Sequence, residues 1–450
     1  MRVPEFLQSS DRPRVPAIRG RWPGQLFLEL RRDPLAFLQE AQRTHGDAVR
    51  FRLGREQIYL LSHPDMVRDV LVIHAQSFRM ALGFQRALLG EGLLTSDGAL
   101  HQRQRRLIQP AFHHARIATY SKTMVEAALR AAERWVDGVE LDVREELTRL
   151  NLELVAKTLF GCEVEGVAAE IGRAVTDVQG LFGGLAMSLG EVVLKFPLPS
   201  VRRFRRGLAR LDLEVERIVA ERRSDPSERG DLLSMLLGAR DADGRPMSGR
   251  QLRDEVMTLF LTGHETITSA LSWTLYLLGQ NPEVERKLHA EVEEVFCRRA
   301  PKAEDLPRLQ VARAVFSEAL RLRPTAWAVA RRALEPVKLG DGTVIPANAL
   351  AVLSQWVVHH DARWFPEPER MVLERWTPEA RAARHRFAYF PFGAGPRSCI
   401  GESFAWAAGT LVLAVIARRW RLVPVAGTTV RADVRITLRP IGLRMQVRSR

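Results

Sequence analysis

Apolar residues recur at helical spacing through most of the middle of the chain. Between about residues 98 and 335 they fall three and four positions apart, which predicts amphipathic helices. The clearest stretches are 123–136, 147–160 and 248–282. Ser248 is a suitable N-cap for the last of these, and Pro282 lies beyond its end. The chain is therefore predicted to be mainly helical.

Strand patterns lie on either side of this helical region. Four stretches that alternate, or that are rich in β-branched residues, predict strands: 47–63, 337–346, 350–358 and 435–448. The first predicts a hairpin near Gly54, the second a hairpin around Gly342, and the last another β pair. We expect a single large domain, mainly α, with one small β region to which both ends of the chain contribute.

The composition is that of a globular protein, with 46% apolar and 27% charged residues. The formal net charge is +14, and only six of the cationic residues are lysine. A GC-rich bacterial genome that encodes arginine accounts for this most simply, and a basic face for an acidic partner is the alternative. Because the arginines alternate with acids and do not cluster with aromatics, nucleic acid is not an expected partner.

The cysteines and the longest apolar stretches indicate the compartment. Cys162, Cys297 and Cys399 are far apart and odd in number, which argues against a disulfide framework and favours a reducing, cytoplasmic setting. The uncharged stretch 403–417 is too short to cross a bilayer, and 266–282 is too polar. The N-terminus lacks the apolar core of a signal peptide. We expect no membrane span.

Cys399 lies in the loop FGAGPRSCIGESFA (392–405), directly before an apolar helical stretch. Such a cysteine can be a turn residue, a buried small hydrophobe, a redox thiol or a metal ligand, and burial is commonest for an arbitrary cysteine. Here Gly393, Gly395 and Gly401 permit close backbone approach, and the start of a helix favours a thiolate. A thiolate with no second cysteine suits one axial bond to a metal that something else holds, such as haem iron.

The loop also fits a specific pattern, FxxGxRxCxG, filled here by Phe392, Gly395, Arg397, Cys399 and Gly401. This string resembles the haem-binding loop of the cytochrome P450 family of haem-thiolate monooxygenases. The resemblance implies that the Cys399 thiolate is the axial ligand of the iron of haem b, with Phe392 and Arg397 among the haem-binding residues.

Glu318 and Arg321 form an ExxR pair that shares one face of a predicted helix. A solvated surface pair is the ordinary interpretation of that spacing. Its distance from Cys399 resembles that of the P450 ExxR helix, which implies a buried structural triad with a downstream arginine. The string PERM, with Arg370, and the string LERW, with Arg375, compete for this role, and spacing favours Arg375.

The longest helical pattern is interrupted by the run LTGHETITS. Gly263 weakens a helix and Glu265 would be a buried charge, and such local conflicts tend to mark functional sites. Taken alone, His264 or Glu265 could be a metal ligand. The run resembles the P450 distal-helix motif, with Thr262 where alanine or glycine is commoner. This implies that Glu265 and Thr266 supply protons and that His264 is a packed or bridging residue.

Residues 97–112 resemble the P450 WxxxR helix, with His101 in place of the tryptophan. His101 and Arg105 lie one helical turn apart, and the resemblance implies that both bind a haem propionate. Arg331 falls where the family places another propionate-binding arginine, and Arg397 is a further one.

Together these motifs imply a P450 catalytic domain over 30–450, preceded by a proline- and arginine-rich segment over 1–29. The implied reaction inserts one oxygen atom of O₂ into a substrate. No reductase motif is visible, so electrons are expected from NAD(P)H through a separate ferredoxin or flavodoxin and its reductase. Basic residues on the presumed cysteine side would suit an acidic donor: Arg103, Arg106, Arg116, Arg418 and Arg419.

Two other functions remain open. A peroxide-driven haem-thiolate peroxygenase is less favoured, because such enzymes tend to lack the acid–alcohol pair that Glu265 and Thr266 provide. A non-catalytic haem-binding sensor predicts no substrate-dependent oxygen uptake.

The substrate is predicted only by class. By resemblance, residues 78–94 overlie the haem as a substrate-contact segment. The pocket candidates are Phe78, Phe84, Leu259, Thr262, Ala326, Trp327, Val329 and Ile436. Most are apolar, which predicts a lipophilic substrate such as a terpenoid, steroid, fatty acid or polyketide. The alternative is that half of them only pack the core.

Overall fold

The structure, a computed structural model, describes residues 15–81, 84–161, 194, 196, 198–224, 230–241, 243–297 and 299–450. Residues 1–14 of the predicted N-terminal segment, residues 82 and 83 of the predicted substrate-contact segment, Cys162 and the side chain of Phe84 lie outside the described part. The chain divides into two compact units. The first unit comprises Met1–Ala81, Ala326–Arg370 and Thr377–Cys399, and the second comprises Leu82–Thr325, Met371–Trp376 and Ile400–Arg450.

Helices make up most of the described residues. They are α1 (Gln25–Arg32), α2 (Pro34–His45), α3 (Pro64–Arg68), α4 (Phe84–Leu89), α5 (Gly98–Ile108), α6 (His114–Arg134), α7 (Val143–Phe160), α8 (Pro199–Ser224), α9 (Leu232–Gly238), α10 (Gly249–Gln280), α11 (Pro282–Phe296), α12 (Gln310–Leu322), α13 (Gln355–His359), α14 (Pro378–Ala383) and α15 (Glu402–Arg419). The strands are β1 (Ala48–Leu53), β2 (Glu56–Leu61), β3 (Phe78–Met80), β4 (Glu140–Asp142), β5 (Val329–Ala333), β6 (Val337–Lys338), β7 (Val344–Ile345), β8 (Leu350–Leu353), β9 (Trp420–Pro424), β10 (Arg431–Val434), β11 (Leu438–Ile441) and β12 (Arg444–Ser449).

The first unit is built around a five-stranded sheet in the order β1-β2-β8-β5-β3. Only β2 and β8 run parallel, and the other neighbours are antiparallel. One face packs a core that includes Leu61, Leu71, Phe78 and Phe390. A second core, which includes Leu38, Phe51, Leu60 and Val357, joins α2 to the sheet. The part of the cysteine loop up to Cys399 belongs to the same unit as this sheet.

The second unit is mainly helical, with α7 packed on α10 and α6 packed on α15. The helix α10 begins where Ser248 Oγ accepts the N–H of Gln251 (3.1 Å). It is buried along most of its length, and several of its hydroxyls donate to the carbonyl four residues earlier, as those of Ser272 and Thr274 do. Pro282 ends the predicted pattern by opening α11 at its first position.

Several predicted elements are confirmed. The hairpin over 47–63 forms as β1 and β2, with Gly54 at φ 59° between them. The hairpin over 337–346 forms as β6 and β7, with Gly342 at φ 89°. The long helix and its Ser248 cap also form. Among the described residues, none of the helices combines the length and the apolar character that a membrane span requires.

Two expectations about β structure are wrong. Only the first part of 350–358 is a strand, because Ser354 Oγ accepts the N–H of Val357 (3.3 Å) and starts α13. The two strands within 435–448 do not pair with each other: β11 pairs with β10, and β12 pairs with β4 and β9. Gly442, at φ 74°, turns the chain between them. The described β structure forms four sheets, and the five-stranded sheet joins β1, β2 and β3 from before the helical region with β5 and β8 from after it. The expectation that both parts of the chain contribute to the β region is confirmed.

Candidate active site

The loop that carries Cys399 is braced by its own backbone. The N–H of Cys399 donates to the carbonyl of Phe392 (2.8 Å). Gly393 and Gly395 have φ values of 69° and 70°. This left-handed region favours glycine, because glycine has no Cβ to clash with the backbone. A Cβ on Gly395 would also overlap the carbonyl oxygen of Leu71. Both glycines are thus required by the shape of the loop.

The thiol at the end of this loop is exposed. Among the described residues neither Cys297 nor Cys399 is in a disulfide. The helix α15 begins at Glu402, three residues farther along the chain. An exposed thiol on a braced loop is the donor that a single axial metal bond needs. The part of the chain that the structure describes holds no cluster of three or more His, Cys, Asp or Glu suited to a metal ion.

The first unit also carries three predicted haem-binding residues besides Cys399. Arg331 lies on β5 and is buried, with Nη1 donating to the carbonyl of Ala330 (3.1 Å). Arg397 ends the short 3₁₀ turn Gly395–Arg397, and both Arg397 and Phe392 are half-buried. The unit therefore presents two cations and an aromatic ring on the same framework as the thiol.

In the second unit, α5 carries the other predicted propionate-binding pair. His101 is buried and Arg105, one turn later, is half-buried. The spacing of four residues puts both side chains on one face of the helix.

The hydroxyls of the predicted distal-helix motif are bonded within α10. Thr266 Oγ1 donates to the carbonyl of Thr262 (2.7 Å), and Thr262 Oγ1 donates to the carbonyl of Thr258 (2.6 Å). Each hydroxyl keeps its oxygen lone pairs as acceptors. Thr266 can therefore receive a hydrogen bond without leaving its rotamer.

The carboxylate of Glu265, next to Thr266, is buried in an ionic cluster. Arg144 Nη2 on α7 lies 3.1 Å from both of its oxygens, and Arg439 Nη1 on β11 lies 3.8 Å from Oε1. Thr437 Oγ1 also donates to Oε1 (3.4 Å). Arg439 in turn pairs with Asp433 (2.7 Å). The buried charge predicted for this position is thus compensated by cations.

This cluster borders a cavity of about 430 Å³. Its lining includes Arg144 and Arg439, together with Thr148 of α7 and Arg435. Water in this cavity can therefore reach the two cations that hold Glu265.

His264, the other titratable residue of the run, is a packed side chain. It is 3% exposed and stacks on Phe260, with ring centroids 6.4 Å apart. Neither ring nitrogen has a hydrogen-bond partner among the described residues. Burial lowers its pKa to about 4, so the ring is neutral at pH 7.

Glu318 is the centre of a buried polar cluster. Arg321 donates to its two oxygens (2.9 and 2.8 Å), and Arg375 Nη1 donates to Oε1 (2.7 Å). The N–H of Val372 and the indole N–H of Trp376 complete the set (3.1 and 3.0 Å). Glu318 and Arg321 are fully buried.

The competing arginine lies elsewhere. Arg370 is exposed and pairs with Glu367 (2.6 Å) on the surface. The LERW string, which folds as a 3₁₀ turn, therefore contributes the arginine that contacts Glu318.

The predicted pocket residues differ widely in exposure. Leu259 is buried on α10 and Thr262 is half-buried. Phe78 belongs to the core of the first unit, where Val329 packs against it, and Trp327 packs against the second core of that unit. Ala326 is half-buried, whereas Ile436 is 51% exposed.

The family model described as cytochrome P450 matches residues 18–442. The chain is a cytochrome P450. Two similar relatives come from Streptomyces melanosporofaciens. Cyclooctatin synthase is 41% identical over 424 residues, covering 93% of this chain and 92% of that protein. Cyclooctat-9-en-7-ol 5-monooxygenase is 38% identical over 432 residues, covering 94% and 93%.

The fold of this cytochrome P450 agrees with solved structures. The cytochrome P450DA haem domain aligns with a TM-score of 0.87 at 25% identity, covering 97% of this chain and 98% of that one. The prediction of a mainly helical P450 fold is thus confirmed. As a member of this family, the chain has a haem cofactor and catalyses a monooxygenase reaction that needs a supply of electrons.

The side chains of this P450 fit a haem. Its loop offers an exposed thiol, and the close approach at Gly395 leaves no room for a larger residue there. Its cations, which include Arg331 and Arg397, suit the two carboxylates of a porphyrin.

The sequence did not reveal the partners of Glu265 in this P450. Arg144 and Arg439 lie 121 and 174 residues away along the chain, and neither belongs to a recognisable motif. Their only signal was the requirement that a carboxylate inside an apolar helix needs a cation.

Proposed function

We propose that this cytochrome P450 hydroxylates a ring-containing terpenoid, and that the Cys399 thiolate would bind the iron of haem b. The exposed Cys399 thiol, on a loop shaped by Gly393 and Gly395, is the observation that carries the proposal. Haem iron ligated by a thiolate activates O₂ for insertion of one oxygen atom, because thiolate donation favours O–O cleavage. The protein binds and orients the substrate, and it controls the supply of protons.

We further propose that four side chains hold the haem propionates: His101, Arg105, Arg331 and Arg397. Arginine is suited to this role because its planar guanidinium makes paired hydrogen bonds to a carboxylate. Phe392 would pack against the porphyrin.

Proton supply is assigned to Glu265 and Thr266. The cavity lined by Arg144 and Arg439 would bring water up to the two guanidinium groups that contact Glu265. Thr266 keeps its oxygen as an acceptor while it donates to the carbonyl of Thr262, so it can orient a proton donor. Arg144 and Arg439 hold the carboxylate of Glu265 in place beside this cavity.

The electrons are proposed to come from NAD(P)H through a separate ferredoxin or flavodoxin and its reductase. The net charge of +14 and exposed arginines such as Arg106 and Arg419 favour an acidic donor. Arg103, by contrast, is engaged with Asp241 (2.8 Å). Turnover with an acidic donor should fall steeply as salt rises, and salt-independent reduction would contradict this assignment. We also propose a cytoplasmic location for the protein, on its few, dispersed cysteines.

The apolar pocket candidates and the relatives support the proposed substrate class. One relative is, by its name, a monooxygenase of the unsaturated alcohol cyclooctat-9-en-7-ol. Leu259 on α10 supplies an apolar surface one turn from Thr262.

A spectral screen tests the proposal. Purified holoprotein is titrated with cyclooctat-9-en-7-ol, a steroid, a fatty acid and a charged sugar, and the haem spin state is followed. We expect the cyclic terpene alcohol to convert low-spin to high-spin haem and to support NAD(P)H-dependent product formation. A response only to the charged sugar would contradict the proposal. Turnover with peroxide but not with a redox chain would instead favour a peroxygenase.

A further inference from the structure

We propose that Glu255 is a positioning residue that fastens the 90–95 loop onto α10 and thereby sets how tightly a bulky ligand binds beside the haem. The inference rests on the proposed function, in which residues 78–94 contact substrate. Glu255 belongs to none of the motifs that define the family resemblance.

The loop is seated on α10 through its backbone. The N–H of Leu93 donates to Oε2 of Glu255 (2.8 Å), and the N–H of Glu91 donates to Oδ2 of Asp254 (2.9 Å). The loop is closed on itself by Thr95, whose Oγ1 donates to the carbonyl of Gly90 (2.7 Å). Two adjacent carboxyl groups of one helix turn thus hold two alternate amides of the loop.

The contact is close enough to require glycine twice. A Cβ on Gly90 would overlap the carboxylate of Asp254, and Gly90 also has φ 57°. A Cβ on Gly92 would overlap Thr258 Oγ1 and would lie 2.6 Å from the carbonyl oxygen of Asp254. The loop backbone therefore rests directly on the helix.

The other side of the loop is held by α5. Gln104 is fully buried, and its Nε2 donates to the carbonyl of Glu91 (2.6 Å). Its Oε1 accepts a hydrogen bond from Ser96. The loop is consequently fastened from two helices, one of which carries His101 and Arg105.

Glu255 faces the same side of α10 as the predicted distal residues. Successive spacings of four, three and four residues lead from Glu255 to Leu259, Thr262 and Thr266, which places all four along one stripe of the helix. The loop is therefore seated on the same stripe of α10 that bears the pocket candidates Leu259 and Thr262.

Burying the carboxyl group of Glu255 costs free energy that packing alone does not explain. It is fully buried, and its Oε1 has no hydrogen-bond partner among the described residues. Asp254, in contrast, is paired with Arg253 (2.8 Å). Burial raises the pKa of Glu255 to about 8. Local conflicts of this kind are typical of residues kept for function.

The test uses the full-length holoprotein with three variants. Glu255→Leu removes the acceptor, Glu255→Gln retains an oxygen acceptor of the same shape, and Gly92→Ala lifts the loop while leaving Glu255 in place. The matched control is Glu291→Gln, because Glu291 also holds backbone amides, those of Val311 and Ala312 (2.6 and 2.9 Å), at another helix. Amide hydrogen exchange over residues 90–95 is measured by mass spectrometry. Affinities for clotrimazole, a bulky apolar azole, and for imidazole, its small core, are measured from the haem spectrum.

We expect Glu255→Leu and Gly92→Ala to speed exchange of the loop about tenfold, the effect of losing one buried hydrogen bond. The same two variants should weaken clotrimazole about tenfold and leave imidazole unchanged. Glu255→Gln and Glu291→Gln should match the wild type in both measurements.

Unchanged loop exchange in Glu255→Leu and Gly92→Ala would overturn the inference, as would faster exchange with unchanged clotrimazole affinity. Failure of the proposed function is seen separately. It would appear as the absence of a thiolate-ligated haem spectrum in the wild-type protein, whatever the exchange of the loop.

Discussion

Arg375 and Arg370 are two arginines of neighbouring strings, and only one of them contacts Glu318. Arg375→Leu removes a hydrogen bond of 2.7 Å from a carboxylate that is fully buried. Breaking a buried pair by removing one partner costs about 3–5 kcal/mol. Arg321, Val372 and Trp376 still donate to Glu318 in the variant, so we expect the lower end of this range, about 3 kcal/mol.

Arg370→Leu is the matched control. Arg370 and its partner Glu367 have side chains that are 68% and 62% exposed, and an exposed pair contributes less than about 1 kcal/mol. The assay is urea denaturation of the holoprotein followed by haem absorbance and by circular dichroism, with the haem content of each variant recorded. Equal losses of unfolding free energy in the two variants, or a larger loss for Arg370→Leu, would refute the assignment of the buried cluster.

Two further predictions concern the loop and the distal helix. Gly395→Ala should abolish haem loading, because the added Cβ would meet the carbonyl oxygen of Leu71. The control Gly427→Ala, at φ 78° with open space around it, should load haem normally. Loading is measured from the ratio of haem to protein absorbance, and normal loading of Gly395→Ala would contradict the loop geometry. Burial lowers the pKa of His264 to about 4, so between pH 6.5 and 4 the unfolded chain binds more protons than the folded protein, and the free energy of unfolding falls as the pH drops through this range. His264→Phe should flatten this part of the curve of unfolding free energy against pH, measured by urea denaturation. An unchanged curve would contradict the burial of a neutral ring.

Local features of the fold could be predicted because their causes are local. Hydrophobic spacing predicts α10, and the Ser248 cap marks its start. The turn glycines predict both hairpins. The pairing of β11 and β12 could not be predicted, because each strand takes partners far away in the chain and both strands show the same alternation.

The same distinction applies to the candidate site. Motif residues such as Cys399 and Glu318 are found from spacing, whereas their partners depend on tertiary contacts. Arg144, which holds Glu265, and Glu255, which holds the 90–95 loop, belong to no motif. A buried charge in the sequence shows that a partner is needed, and only the fold shows which one.

The most direct test of the haem-thiolate assignment is the absorption spectrum of the reduced, CO-bound protein. Wild type and Cys297→Ser, which alters the other described cysteine, should both show the red-shifted Soret band of thiolate ligation. Cys399→His should lose that band. A wild-type protein that binds no haem, or a Cys399→His variant that retains the red-shifted band, would contradict the assignment.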